Sequence, residues 1–225
     1  MSPPSFFEGC MDNLPFKERV AQEASRFAAQ YQCVFVDYEY LLCSEAFLEC
    51  DYYIISAKKD NFRHLLGVHT TLTPDSFYQK CIEGELTPND FDFQKPGETE
   101  KGVKGTVRRK MQAFPNFLGM MNRDLVVQEK FEKNHVICTI ATTDCEVTMG
   151  FINSDKLRPK TLMKGDQIDW ENAGTVDLIL RKPAGSALFN EIIAGDNSAL
   201  MKYFPKIKDL VSSEMYSGTG DIMKE

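Results

Sequence analysis

The 225-residue chain has only three histidines and no Cys-x-x-Cys pair among its seven cysteines. No histidine stands at ligand spacing from a cysteine, so a zinc-built domain is not expected. The odd cysteine set includes members inside apolar runs, as Cys138 in Val136-Ile137-Cys138-Thr139-Ile140, which read as small buried hydrophobes in a reducing compartment. A glycine-rich phosphate loop, a serine nucleophile elbow and a paired-carboxylate motif are all missing, which removes support for NTPase, kinase and common hydrolase classes. Gly102-Val103-Lys104-Gly105-Thr106 looks like the tail of a phosphate loop but lacks the first glycine and a preceding strand. There is no secretory leader, no apolar run of bilayer length, no low-complexity tract and no internal repeat. A cytoplasmic protein without a membrane partner is the expectation.

What is present is an ordinary globular composition with uneven charge. The apolar fraction is 43% and the formal net charge is −7, against non-specific coating of nucleic acid, which rests on phosphate neutralisation. Residues 1–100 hold 8 basic and 17 acidic side chains, residues 101–182 hold 14 and 10, and residues 183–225 hold 4 and 6. The middle is thus basic within an acidic protein, and a bound anion feels such a local field more than distant, screened charge. Solvated faces would give the same count. The length fits one domain, placed at 13–215, with tails at 1–12 and 216–225 and a flexible loop near 94–105.

Residues 14–31 put Phe16, Val20, Ala24, Phe27 and Ala28 on one helical stripe, with Asn13 available as N-cap. Residues 33–40 and 51–56 read as extended segments. Asp60 or Asn61 opens a short helix ending at Gly67, and Thr73-Pro74 opens another that closes near Gly84. Helical spacing returns over 106–122, where Pro115 should kink or divide the helix. From about residue 125 the period changes. Residues 125–127, 135–141, 146–152 and 175–180 read as four strands of an antiparallel meander, and 199–215 as a terminal helix. Helices first and strands later predict an α+β fold.

Metal-free RNA cleavage needs a base for the 2′-hydroxyl proton, an acid for the leaving oxygen, and cations or hydroxyls for the phosphorane. His64 supplies the first kind of group. Arg158, Lys160, Arg181 and Lys182 supply charge and Thr161 a hydroxyl. Each has a plainer alternative: His64 and His69 could bond backbone carbonyls, and His135 suits a turn.

The string Asn61-Phe62-Arg63-His64-Leu65-Leu66-Gly67-Val68-His69, followed by Phe77-Tyr78-Gln79-Lys80-Cys81 and Gly84-Glu85-Leu86-Thr87-Pro88-Asn89-Asp90, resembles the N-terminal signature of a phage and mobile-element nuclease family. Met149-Gly150-Phe151, then Arg158-Pro159-Lys160-Thr161-Leu162, then Ile179-Leu180-Arg181-Lys182, are similar to its later elements in the same order. That family is grouped with barnase, EndoU, colicin and RelE nucleases, as the fourth phage group of that fold. The resemblance implies N-terminal helices packed on a four-stranded antiparallel sheet with a C-terminal helix, and metal-independent endoribonuclease activity, with a toxin role as one form. By carry-over, His64, Lys160, Thr161 and Lys182 are the implied catalytic positions, and Arg158, His69 and Arg181 the substrate-binding ones. RNA is the implied substrate, an antitoxin or host protein the implied partner, and no cofactor or metal is implied. Leu66 departs from the threonine expected in the histidine motif, which together with the acidic balance suits either a selective nuclease or a catalytically silent relative that binds RNA or a host protein.

Overall fold

The computed structural model describes residues 14–216, so the N-cap expected at Asn13 and, save for Tyr216, both expected tails lie outside the described residues. The first half holds α1 (Phe16–Tyr31), β1 (Tyr38–Cys43), β2 (Tyr53–Ser56), α2 (Asn61–Leu66), α3 (Pro74–Glu83) and α4 (Glu100–Gly119). The second holds β3 (Val126–Glu129), β4 (Glu132–Lys133), β5 (Val136–Ile137), β6 (Ile140–Thr143), β7 (Val147–Asn153) and β8 (Leu157–Lys164). It closes with β9 (Ala173–Thr175), β10 (Leu178–Pro183), β11 (Glu191–Ala194) and α5 (Asn197–Ile207).

The α+β class stands, but the four-stranded antiparallel sheet does not. Nine strands form one mixed sheet in the order β11-β10-β1-β2-β8-β7-β6-β3-β9, with β4 and β5 a separate hairpin. One pairing is parallel, β2 with β8 through Ile55 and Leu157. The early strands β1 and β2 enter the middle of the sheet because their apolar residues fit between β10 and β8, a non-local pairing that no local period reveals. Strand β8 was hidden by Pro159 and its charges. It is accommodated by a bulge: Gly150 pairs with Thr161 and Phe151 with Pro159, leaving Lys160 as the extra residue.

Alternation along each strand then sets two faces. One face carries Leu42, Ile55, Val127, Ile140, Met149, Phe151, Leu157 and Leu162 against the helix layer, where Phe35 stacks on Phe117 at 4.4 Å and Phe27 on Phe114 at 4.8 Å. The opposite face is covered in two patches. Leu41, Leu178, Leu180 and Phe189 pack with Leu200 and Tyr203 of α5, while Phe131, Cys138, Ala141 and Ile168 form a cluster under the β4–β5 hairpin. The turn of that hairpin is Asn134-His135, both at positive φ, so His135 is a turn residue.

Four local expectations change. Residues 32–36 form a wide helical turn rather than a strand, which swings Phe35 into the helix layer. The loop expected at 94–105 is half helix: Thr99 accepts from the Gly102 N–H, and burial of Val103 and Val107 outweighs the weak propensity of Gly102 and Gly105. Helix α4 runs through Pro115 undivided, held by buried Phe114 and Phe117 on either side. The expected terminal helix is α5, which ends at Ile207 and gives way to short 3-10 turns.

Gly150 is where the bulge has no spare room. A Cβ there would lie 2.5 Å from Cys138 Sγ and 2.8 Å from Thr161 Cγ2. Gly150→Ala is therefore expected to destabilise the protein by about 1–3 kcal/mol, read from the urea midpoint, as overpacking does elsewhere.

Candidate functional site

Helix α2 turns Phe62, Leu65 and Leu66 into the core and leaves His64 exposed. It ends at Gly67 with φ +79°, whose N–H bonds the Arg63 carbonyl, a left-handed C-cap that glycine adopts without strain. From α4, half-buried Lys110 reaches across and donates from Nζ to the His64 carbonyl at 2.7 Å. A Cβ on Gly67 would sit 3.1 Å from Lys110 Cδ, so the glycine also makes room for this lysine. Desolvation, then the charges of Arg63 and Lys110, hold the His64 imidazole below its ordinary 6.5, while Asp60 opposes them and Lys95 adds to them. Desolvation and the neighbouring Lys95 bring Lys110 down to about 8.

Past the Gly67 turn, His69 and Asp92 exchange both backbone hydrogen bonds, at 3.1 and 2.8 Å. Their side chains also meet, Nδ1 to Oδ1 at 2.9 Å, which leaves His69 Nε2 unengaged by Asp92. Burial raises the Asp92 carboxyl, but the Gln94 N–H and His69 hold it on balance below its ordinary range. His69, Gln94, Lys95, Pro96, Glu98 and Glu100 line an open pocket of about 400 Å³. Lys95 is the link: it lines this pocket, and its charge acts on both His64 and Lys110.

The other sequence-predicted residues divide across the sheet. Leu157 and Leu162 of β8 face the helix layer, and α2 and α4 both pack on that strand. Thr161, opposite Gly150 and against Cys138, lies on the other face, as does the bulge residue Lys160, which donates to the Ile137 carbonyl of the hairpin at 2.7 Å. Arg158 pairs with Asp155 at 3.4 Å, opposite exposed Ile152. Lys182 is buried beside the α5 patch, donating to the Ser186 and Ala187 carbonyls at 2.7 and 3.1 Å and lying over the Phe189 ring. Its Nζ is also 3.4 Å from Glu39, which takes Lys156 at 2.6 Å. Arg181 lies on the helix-layer face, forked onto Glu191 and over the Tyr38 ring.

The fold thus brings His64 and His69 to one region and leaves Lys160, Thr161, Arg158 and Lys182 on the far face. It also adds Lys95, Lys110 and Asp92, which sequence reasoning missed. Lys110 belongs to the basic run Arg108-Arg109-Lys110, its only signal, and Lys95 stands in a stretch expected as loop within the acidic first hundred residues, with no signal at all. Among the described residues no helix is long and apolar enough to cross a membrane.

No curated protein and no solved structure matches the chain. A family model does, over residues 25–161, a span that includes α2, Lys95, Lys110, the bulge at Lys160 and Thr161, but neither Arg181 nor Lys182. With more than half of its length matched, the chain belongs to the phage-Barnase-EndoU-ColicinE5/D-RelE like nuclease 4 family.

Proposed function

We propose that the protein is a metal-independent endoribonuclease that works from the His64–His69 region. Neutral His64 takes the proton of the 2′-hydroxyl, whose oxygen attacks the adjacent phosphorus. The P–O5′ bond breaks, and His69 Nε2, with Nδ1 held by Asp92, delivers a proton to the leaving oxygen. The products are a 2′,3′-cyclic phosphate and a 5′-hydroxyl, with no net proton lost. Lys110 and Lys95 offset the charge that builds on the phosphoryl oxygens.

What supports this most is the setting of His64: desolvation and the charges of Arg63, Lys110 and Lys95 lower its pKa, which favours the neutral base, and Lys95 lines a pocket with the Asp92-oriented His69. Lys160, Thr161 and Lys182 have no step in this scheme, because the sheet stands between them and His64. A toxin role, with an antitoxin or host protein as partner, is one use of such an activity. The test is an RNA oligonucleotide beside its all-2′-deoxy counterpart, both in EDTA. Cleavage of the first alone is expected, since the nucleophile is the 2′-oxygen. Cleavage of both, or a requirement for added metal, would contradict the scheme.

A second reading, a catalytically silent binder, is favoured by one observation: the β8 cations are spent on the protein itself, Lys160 on Ile137 and Arg158 on Asp155. It predicts that both oligonucleotides stay intact.

A further inference from the structure

We propose that the seam between α1 and α4, where Arg19 and Arg108 share the Phe16 ring, holds the phosphate backbone of an RNA strand beyond the cleavage region. The choice of RNA rests on the nuclease reading, which it deepens, and the surface can be tested without turnover.

Three phenylalanines form the base of the seam. Phe16 of α1 stacks on Phe93 at 5.4 Å, and Phe91 meets Phe93 edge-on at 5.9 Å. Four cations lie over these rings. Arg108 and Arg19 stand 4.8 and 5.8 Å from the centre of Phe16, Lys104 stands 5.5 Å from Phe93, and Lys17 5.4 Å from Phe91. Lys101 continues the row, because residues 101, 104 and 108 recur at spacings of three and four along one face of α4.

Long basic side chains often cover aromatic surface with their stems, and that alone implies no ligand. Covering the rings leaves open what answers the charges. Of these five cations only Lys104 meets a carboxylate, Glu100, among the described residues. The buried Nε of Arg19 also has no acceptor. Elsewhere the cations of this acidic protein are commonly paired, as Lys80 with Asp90, Lys156 with Glu39 and Lys202 with Glu45. The nearby acids are spent or turned away. Glu23 is taken by Arg26, Asp92 by His69 and the Gln94 N–H, and Glu18 lies two residues along α1 from Phe16, off its other side. A row of unmatched cations with idle N–H donors suits a repeating anion, and the guanidinium fork matches phosphate.

The seam leads to the proposed site. Phe91 and Phe93 flank Asp92, which orients His69, and Glu100, the partner of Lys104, lines the His69 pocket. That continuity favours an RNA strand over an acidic protein as the occupant. Because Phe91 and Phe93 are buried, bases do not stack on them, so the strand is held by its phosphates without regard to sequence.

The probe is a labelled all-2′-deoxy oligonucleotide of about a dozen nucleotides in EDTA, which offers phosphates and lacks the 2′-nucleophile. Its binding is followed by fluorescence anisotropy across a salt series. Wild type is expected to bind different mixed sequences alike, with affinity falling as salt rises. Arg19→Gln combined with Arg108→Gln should weaken binding at least about tenfold and lower the salt slope by about 1 to 1.5, the loss of two phosphate contacts on a single strand. Arg19→Lys combined with Arg108→Lys keeps both charges and should keep most of the slope. Arg26→Gln, which removes a cation already paired with Glu23, should bind as wild type. Absence of binding by wild type, an unchanged slope in the Gln pair, or equal loss in the Gln and Lys pairs overturns the tract. A poly-glutamate peptide of matched charge that competes as well as the oligonucleotide also overturns it, and marks the face for an acidic protein. If RNA is cleaved while the Gln pair binds as wild type, the tract is wrong and the nuclease reading survives. If the oligonucleotide binds as described and RNA stays intact, the tract stands and the nuclease reading falls.

Discussion

His64→Ala is expected to lower RNA cleavage by about 10²–10⁴-fold, the usual contribution of a positioned general base. Stability should change by no more than about 0.5 kcal/mol, because the side chain is exposed and its carbonyl, which holds Lys110, is untouched. The pH profile carries the finer content. A base must be neutral to accept a proton, so activity rises as pH rises through the His64 pKa, which partial desolvation and the charges of Arg63 and Lys110 keep below 6.5. The alkaline limb has two sources, since His69 must carry the proton it delivers and Lys110 loses its cation near pH 8. A bell is the expected profile. Lys110→Arg should remove only the Lys110 part of the alkaline limb and leave the acid limb in place. A profile that is flat from about pH 5 to 9, across the titration range of histidine, would separate the chemistry from His64 altogether.

Glu39→Ala is expected to be the most destabilising single change on the far face, costing about 3–5 kcal/mol. Glu39 is 6% exposed and Lys182 is 7% exposed, so removing the carboxylate strands an ammonium inside the protein with only two carbonyls for company. Burial raises the Glu39 carboxyl, but Lys156, Ser56 and Lys182 together bring it below its ordinary 4.5. The sign of the pH effect follows. A depressed folded pKa gives stability that is present above pH 4.5 and lost as pH falls through the folded value. Wild type should therefore lose stability below pH 4.5 through this group, and Glu39→Gln should lack that component in urea titrations at matched pH. The same network separates structure from catalysis at Lys182. Lys182→Met should lower the unfolding midpoint yet leave cleavage per folded molecule near wild type, whereas loss of activity in fully folded protein would restore Lys182 to the reacting groups.

Local patterns in the chain were read well where burial follows one helical stripe. The stripe of Val20, Ala24, Phe27 and Ala28 is the buried face of α1, and Thr73 does cap α3 through the Ser76 N–H. Strand β7 also lies within a residue of its expected limits, because its apolar run is uninterrupted by proline. Strand β8 was not legible. Proline and two cations in its first four residues leave no strand period to read, and only the bulge opposite Gly150 makes them compatible with a central strand. The joining of β1 to β10 and of β2 to β8 spans more than a hundred residues of sequence, so a local period could suggest extended segments at 33–40 and 51–56 but not place them in the sheet.

The site was half legible for the same reason. His64 and His69 stand in one short motif, but Lys110 meets His64 from 46 residues away, and only packing of α4 beside α2 joins them. Lys160 and Thr161 looked suited to the histidines because the linear sequence says nothing about which face of a strand each residue takes. The bulge decides that, and it turns both toward Cys138 and the hairpin.

The most direct test is to incubate the purified protein with total RNA and a tRNA pool in EDTA, beside His64→Ala, and to map the ends of any fragments. Fragments with 2′,3′-cyclic phosphate and 5′-hydroxyl ends, made by the wild type and not by the variant, are the predicted result. Intact RNA in every pool, or equal cleavage by His64→Ala, would contradict it.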